Sequence, residues 1–234
     1  MIFPITRLNE LYKDNLPFKG IFSVYGEFGV GKTTFSLQTL LNTIKLGNDV
    51  IFIYTKKNFP IKRLYELINE DTLNDLDTIL NNILTIQILN FEDLRQLSFN
   101  LDFLIIEYQK KKVKLPSIIV IDSITDLYRI NIDNEKKEKN IELNFQLNQI
   151  LANLLYLNQK YSIEILIINN ISRSSKDDEN FEIQSGGKVM DYWISNSLKI
   201  SRTERPDQRN FKLTKNQEKK KYYFFANITK KGFE

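Results

Sequence analysis

The chain has 234 residues, 42% of them hydrophobic, with 33 basic against 29 acidic side chains and a net charge of +4. That suffices for one sizeable core and suits one domain or at most two, while the mild positive charge is compatible with a nucleic-acid partner without requiring one. It contains no cysteine and no histidine, which removes disulfides, thiol nucleophiles, ordinary zinc sites and imidazole bases, so any chemistry must run on carboxylates, lysine, hydroxyls and a bound metal ion.

No run approaches the roughly 20 apolar residues of a membrane span, and the opening Met1-Ile-Phe-Pro-Ile-Thr-Arg7 lacks a signal-peptide layout, so a cytoplasmic protein with no membrane attachment is expected. Gly20–Tyr25 is apolar and β-prone, and Phe35–Ile44 has helical spacing. Asp49–Tyr54 reads as a buried strand, and Ile61 to about Ile83 as helix with a break near Asp71-Thr72. Leu84–Leu89 is a short strand candidate, and Phe91–Lys110 a helix whose trailing lysines suit its negative end. Ser117–Ile121 follows Pro116 as an apolar strand, then Ile141–Tyr161 forms a long amphipathic helix leading into the strand Ile163–Ile168. From Ser195 the rhythm changes: Ser195–Ser201, Asn210–Lys215 and Lys221–Thr229 read as successive strands without helices between them. The pattern predicts an α/β fold with a mainly parallel central sheet flanked by helices and extended by C-terminal antiparallel strands. Asp133–Asn140 and Arg173–Asn180 are polar, charged connections.

Between the first strand and helix lies Gly26-Glu27-Phe28-Gly29-Val30-Gly31-Lys32-Thr33-Thr34, which fits G-x-x-x-x-G-K-[ST] in the strand–loop–helix setting that motif needs. Its glycines let backbone N–H groups surround a phosphate, Lys32 reaches the β and γ oxygens, and the Thr33 hydroxyl is a Mg²⁺ ligand at a helix N-terminus. A nucleoside triphosphate such as ATP, with Mg²⁺, is the implied ligand. The second metal anchor in such sites is an Asp closing a neighbouring buried strand, and Asp122 after Ile118-Ile-Val-Ile121 fits. Lys32 and Asp122 are thus the candidate catalytic residues. Asn169 closes the next strand, where a side-chain amide is placed to sense a γ-phosphate; a plain strand terminator is the equal alternative.

In order, Gly26–Thr33, Val120-Ile-Asp-Ser-Ile-Thr-Asp-Leu-Tyr-Arg129, Ile167-Ile-Asn-Asn-Ile171, Gly186-Gly187 and Ile228-Thr-Lys-Lys-Gly232 resemble the RecA/RadA recombinase core along nearly the whole chain. Thr6–Leu11 resembles its opening helix, and Gly186–Trp193 resembles the archaeal paralogs of RadB-like or RadC-like type. The resemblance implies a single RecA-like P-loop ATPase core over residues 1–234, without the preceding helix-hairpin-helix domain. It further implies ATP binding, weak hydrolysis, a part in homologous recombination and DNA repair, and a main RadA-type recombinase or a repair nuclease as protein partner. Single-stranded or double-stranded DNA is the nucleic-acid partner it implies. The family's two DNA-contacting loops map to about 129–140, with Arg129, Lys136, Lys137 and Lys139, and to 171–185, with Arg173 and Lys176. Cations there suit backbone phosphates, diluted by Glu135, Glu138 and Asp177-Asp178-Glu179.

Two departures stand out. Where the family has a Thr-Glu pair whose carboxylate activates water, this chain has Thr55-Lys56, and a protonated lysine cannot act as that base. Glu27 and Glu107 are weak substitutes, the first belonging to the loop and the second to a helix surface. The aromatic-x-x-Ala tether of the family's filaments is reduced to Phe3 without its alanine, so filament formation by the protein alone is not expected, while the oligomeric state is not read from sequence. Tyr222–Phe225 after Lys219–Lys221 reads as a core strand behind a charged turn. The alternative to a recombinase paralog is a KaiC-like nucleotide-gated signalling or scaffold ATPase that does not act on DNA. A small-metabolite kinase would need clustered lid arginines, for which Arg202, Arg205 and Arg209 are the available set.

Overall fold

The computed structural model describes residues 1–12, 19–68, 76–133, 135–176, 179–216, 218 and 220–234, with only the backbone path at 76, 173–176 and 179–181. The apolar runs become the strands β1 (Ile21–Gly26), β2 (Val50–Tyr54), β3 (Ile83–Gln87), β4 (Ile118–Asp122) and β5 (Glu164–Lys176). They pair in parallel in the order β1-β5-β4-β2-β3. On the other side of β1 lies β7 (Ile194–Arg202), also parallel to it, followed by the antiparallel β8 (Gln208–Lys215), β9 (Lys220–Thr229) and β10 (Gly232–Phe233). The expected parallel sheet with an antiparallel C-terminal extension is therefore present.

Alternation along each strand divides the core into two layers. Phe22, Val24, Phe52, Ile118, Val120, Leu166 and Ile168 pack on one face against Phe35, Leu37, Leu40 and Ile44 of α2 (Lys32–Ile44). Met1, Phe3, Ile5 and Leu8 join this layer, with α1 (Thr6–Tyr12). The opposite face, with Ile51, Ile53, Ile119, Ile121, Ile165 and Ile167, is covered by α5 (Phe91–Lys110), α6 (Ile124–Asn131) and α7 (Lys137–Tyr161) through Leu94, Leu101, Leu127, Leu147, Ile150 and Leu154. Truncating a buried leucine in such a layer costs about 2–5 kcal/mol. Asn90 caps α5 by accepting from the Asp93 amide at 2.7 Å, and Ser123 caps α6 by accepting from Asp126. Among the described residues no helix is long and apolar enough to cross a membrane.

Several elements differ from the sequence reading. The helix expected from Ile61 to Ile83 is described as α3 (Ile61–Leu67) and α4 (Leu76–Asn81), Ile83 already belongs to β3, and the break near Asp71 lies outside the described residues. Strand β5 does not stop at Ile168 but runs on to Lys176 and pairs antiparallel with β6 (Glu179–Gln184), so the described part of the connection expected at 173–180 is strand. Helix α7 starts at Lys137, four residues before the apolar spacing becomes visible, because its first turn is polar and exposed. Helix α6, strand β10 and α8 (Gly187–Trp193) have no counterpart in the periodicity; all are short. Tyr222 and Phe224 turn half inward, whereas Tyr223 and Phe225 are exposed, so β9 is a core strand on one side only.

Candidate nucleotide site

Parallel pairing delivers the candidate residues to one end of the sheet. Tyr25 lies opposite Asn169, Gly26 opposite Asn170, and Tyr54 opposite Asp122, so the carboxyl ends of β1, β5, β4 and β2 form one edge. In open α/β sheets ligands bind at this end, beside the point where the order of connections reverses.

The loop from Gly26 to Thr34 is held from behind. A Cβ on Gly26 would fall 2.3 Å from the Ile200 carbonyl oxygen, and one on Gly31, whose φ is 105°, would meet Ile228 and Phe233 at 2.7 and 2.8 Å. Only glycine fits these two positions. Gly31 caps α2, whose first amides therefore face the loop's concavity. Val30 is fully buried, and its carbonyl accepts from Arg209 at 3.3 Å. Arg202 pairs with Glu27 at 2.8 Å and donates to the Phe28 carbonyl at 2.7 Å, leaving the Phe28 ring exposed. Thr34 accepts from Arg63 at 3.0 Å, and the same guanidinium bonds the Thr229 and Lys230 carbonyls. Gln38 of α2 accepts from the Phe233 amide at 2.8 Å.

Within the loop, Lys32 folds over its own backbone and donates to the Gly26 and Glu27 carbonyls at 2.8 and 2.7 Å. Burial pulls its ammonium down to about 8, with Asp122 opposing and Lys56 adding to the depression. The Thr33 hydroxyl donates to Asp122 at 2.6 Å, joining the two expected metal ligands. Both offer hard oxygens, the donors Mg²⁺ prefers, so the residues fit that ion. Among the described residues no group of three or more acidic side chains gathers, so an ion here would depend on these oxygens and on phosphate.

Thr55 exchanges hydrogen bonds with the Ser123 backbone, and Lys56 beside it reaches Thr33 Oγ1 at 3.3 Å and Asp122 Oδ1 at 3.4 Å. An ammonium therefore stands where the resemblance led one to look for a carboxylate base. Neither weak substitute is free: Glu27 is paired with Arg202, and Glu107 with Lys110 on the solvent side of α5.

Asn169 is fully buried and both ends of its amide are engaged. It accepts from Thr125 and from the Asn170 amide and donates to the Ser185 carbonyl at 2.9 Å, while Gln184 links this network to Ser23. In this geometry Asn169 braces β5 and is not presented to a ligand. Asn170 beside it is half-buried opposite Gly26 and donates its amide to Asp126.

The candidate DNA residues lie elsewhere. Arg129 is exposed in the last turn of α6, and Lys136 and Lys137 are exposed at the start of α7, so 129–131 and 137–140 of this stretch belong to helix ends. The backbones of Arg173 and Lys176 lie on β5, opposite Glu182 and Glu179 of β6; their side chains lie outside what the structure describes, as do Asp177 and Asp178 entirely. Gly186 and Gly187 follow β6 and open α8, with Gly186 packed close to Met190 and Leu147. Arg202 and Arg209 serve the loop's backbone, and Phe3 is buried against Phe22 and Phe35.

Fold and site together define a RecA-like α/β core carrying a P-loop and an acidic strand-end partner. The Rad51 family model matches residues 5–234, and the chain belongs to that family. It is 30% identical to the DNA repair and recombination protein RadB of Methanococcus maripaludis over 84% of this chain and 83% of the relative. The protein of the same description from Methanosphaera stadtmanae is 30% identical over 78% and 73%, and that from Methanocaldococcus jannaschii 29% identical over 75% of each.

Proposed function

We propose that the protein is an ATP-binding recombinase paralog in homologous recombination and DNA repair: a single core domain that binds DNA, modulates a main RadA-type recombinase, and turns over nucleotide slowly. The observation that carries the nucleotide part is the 2.6 Å bond between Thr33 and Asp122, residues 89 apart in sequence, at the mouth of the glycine loop. Lys32 releases the two carbonyls it now holds to meet the β and γ oxygens, and the α2 amides take the remaining phosphate charge. Thr33 and Asp122 would hold Mg²⁺, which would supply neutralising charge to the phosphates. Slow turnover follows from Lys56: it has no proton-accepting lone pair while charged, so water near the terminal phosphate lacks a base.

The DNA part rests on family membership and on the cations Arg129, Lys136, Lys137, Arg173 and Lys176, whose phosphate contacts would make binding fall steeply with salt. One set of measurements tests the whole reading: ATP binding, ATP turnover with and without single-stranded DNA, and capture of a RadA-type recombinase with Lys32→Ala as control. ATP binding with little turnover and ATP-dependent capture is expected. Turnover as fast as a full recombinase would sink the Lys56 argument, and salt-insensitive DNA binding would sink the phosphate contacts. Capture of other partners with no DNA affinity would leave a nucleotide-gated scaffold.

A further inference from the structure

We infer that Lys56 is a resident cation of the phosphate site, supplying part of the charge that magnesium would bring and thereby lowering the magnesium requirement of nucleotide binding. The inference rests on the nucleotide reading above and adds a regulation to it. Lys56 follows Thr55, whose amide donates to the Asp122 carbonyl at 2.9 Å and whose hydroxyl exchanges bonds with Ser123, so the start of its side chain is fixed against the end of β4. From that anchor the ammonium reaches the two groups that would hold the metal, Thr33 Oγ1 at 3.3 Å and Asp122 Oδ1 at 3.4 Å. Thr33 already gives its hydroxyl hydrogen to Asp122, so lone pairs are what it offers the lysine.

Asp122 needs such a partner. Its carboxylate is only 4% exposed, a charge that is costly to bury unpaired, and Lys56 is the ion-pair partner the structure records for it. Lys32 lies near but gives two of its three hydrogens to loop carbonyls. An ammonium has three donors: two meet Asp122 and Thr33, and the third is left for a phosphate oxygen. Mg²⁺ demands short octahedral contacts and sheds water reluctantly, so it must compete for oxygens the lysine already occupies. The lysine side chain is half exposed, which lets it yield when the ion is abundant.

The quantity to measure is the ratio of ATP affinity in excess Mg²⁺ to that in EDTA, by calorimetry, for the wild type, Lys56→Gln and Lys56→Arg. The wild-type ratio should be small, a few-fold at most, and Lys56→Arg should keep it small. Lys56→Gln should raise it by about tenfold, the worth of one charge-assisted contact, through weaker binding in EDTA that Mg²⁺ restores. Equal ratios in wild type and Lys56→Gln would overturn the inference. Absence of ATP binding by folded wild type even in Mg²⁺ would instead remove the nucleotide reading, and the inference with it. Melting temperatures without nucleotide establish that each variant is folded.

Discussion

The nucleotide end of the sheet and the elements proposed for DNA are built in opposite ways. At the nucleotide end nearly every polar side chain is held by another: Thr33 by Asp122, Glu27 by Arg202, Thr34 by Arg63, Asn169 by Thr125 and Ser185. The α6–α7 junction instead carries Arg129, Lys136 and Lys137 exposed, with Glu135 and Glu138 among them. The difference teaches where each kind of recognition draws its energy. A phosphate cradle works by preorganised donors, so its parts are coupled; backbone phosphates are met by separate charges whose contributions add.

Substitutions can break this contrast, and the largest effect is expected at Lys32. Lys32→Ala should weaken ATP binding about a hundredfold, the worth of charged hydrogen bonds to phosphate, and calorimetry that finds unchanged affinity would remove the loop as the seat. Next comes Gly26→Ala, whose methyl would lie 2.3 Å from the Ile200 carbonyl. The backbone must move, and chemical denaturation should record a loss of about 2–3 kcal/mol together with weaker ATP binding. Thr125→Val removes a buried donor from Asn169. A loss of about 1–2 kcal/mol in the same assay is expected, and no loss would mean that the network does not brace β5. Smallest is Arg173→Ala: single-stranded DNA affinity should fall a few-fold and the salt slope by about one, with ATP affinity unchanged. A Lys136→Ala, Arg173→Ala double variant showing more than the sum of the single effects would dissolve the contrast, since separate charges should add.

The parts of this molecule that sequence made legible are those fixed by local chemistry. Ile118–Ile121 could be read as a strand because a strand buried on both faces must be apolar throughout, and Gly26–Thr34 because a phosphate loop tolerates few substitutes. The extension of β5 past Asn169 was not legible: Ile171–Lys176 is mostly polar, and its strand character comes from backbone pairing with β6. Arg202 and Arg209 were seen as an arginine cluster but not as supports of the loop, since that role depends on β7 lying beside β1. Lys56 was legible as a departure from the family pattern; its contact with both Thr33 and Asp122 came only from the pairing of β2 with β4.

The crowding behind Gly31 by Ile228 and Phe233 also has a kinetic meaning. With hydrophobic side chains at its back and the Ile200 carbonyl against Gly26, the loop has little room to collapse when empty. A backbone already shaped spares the arriving nucleotide the entropy of ordering it, and what must still move is the Lys32 ammonium, which leaves the Gly26 and Glu27 carbonyls, a step common to every nucleotide. Differences in affinity among nucleotides would then be written almost wholly in how long each one stays.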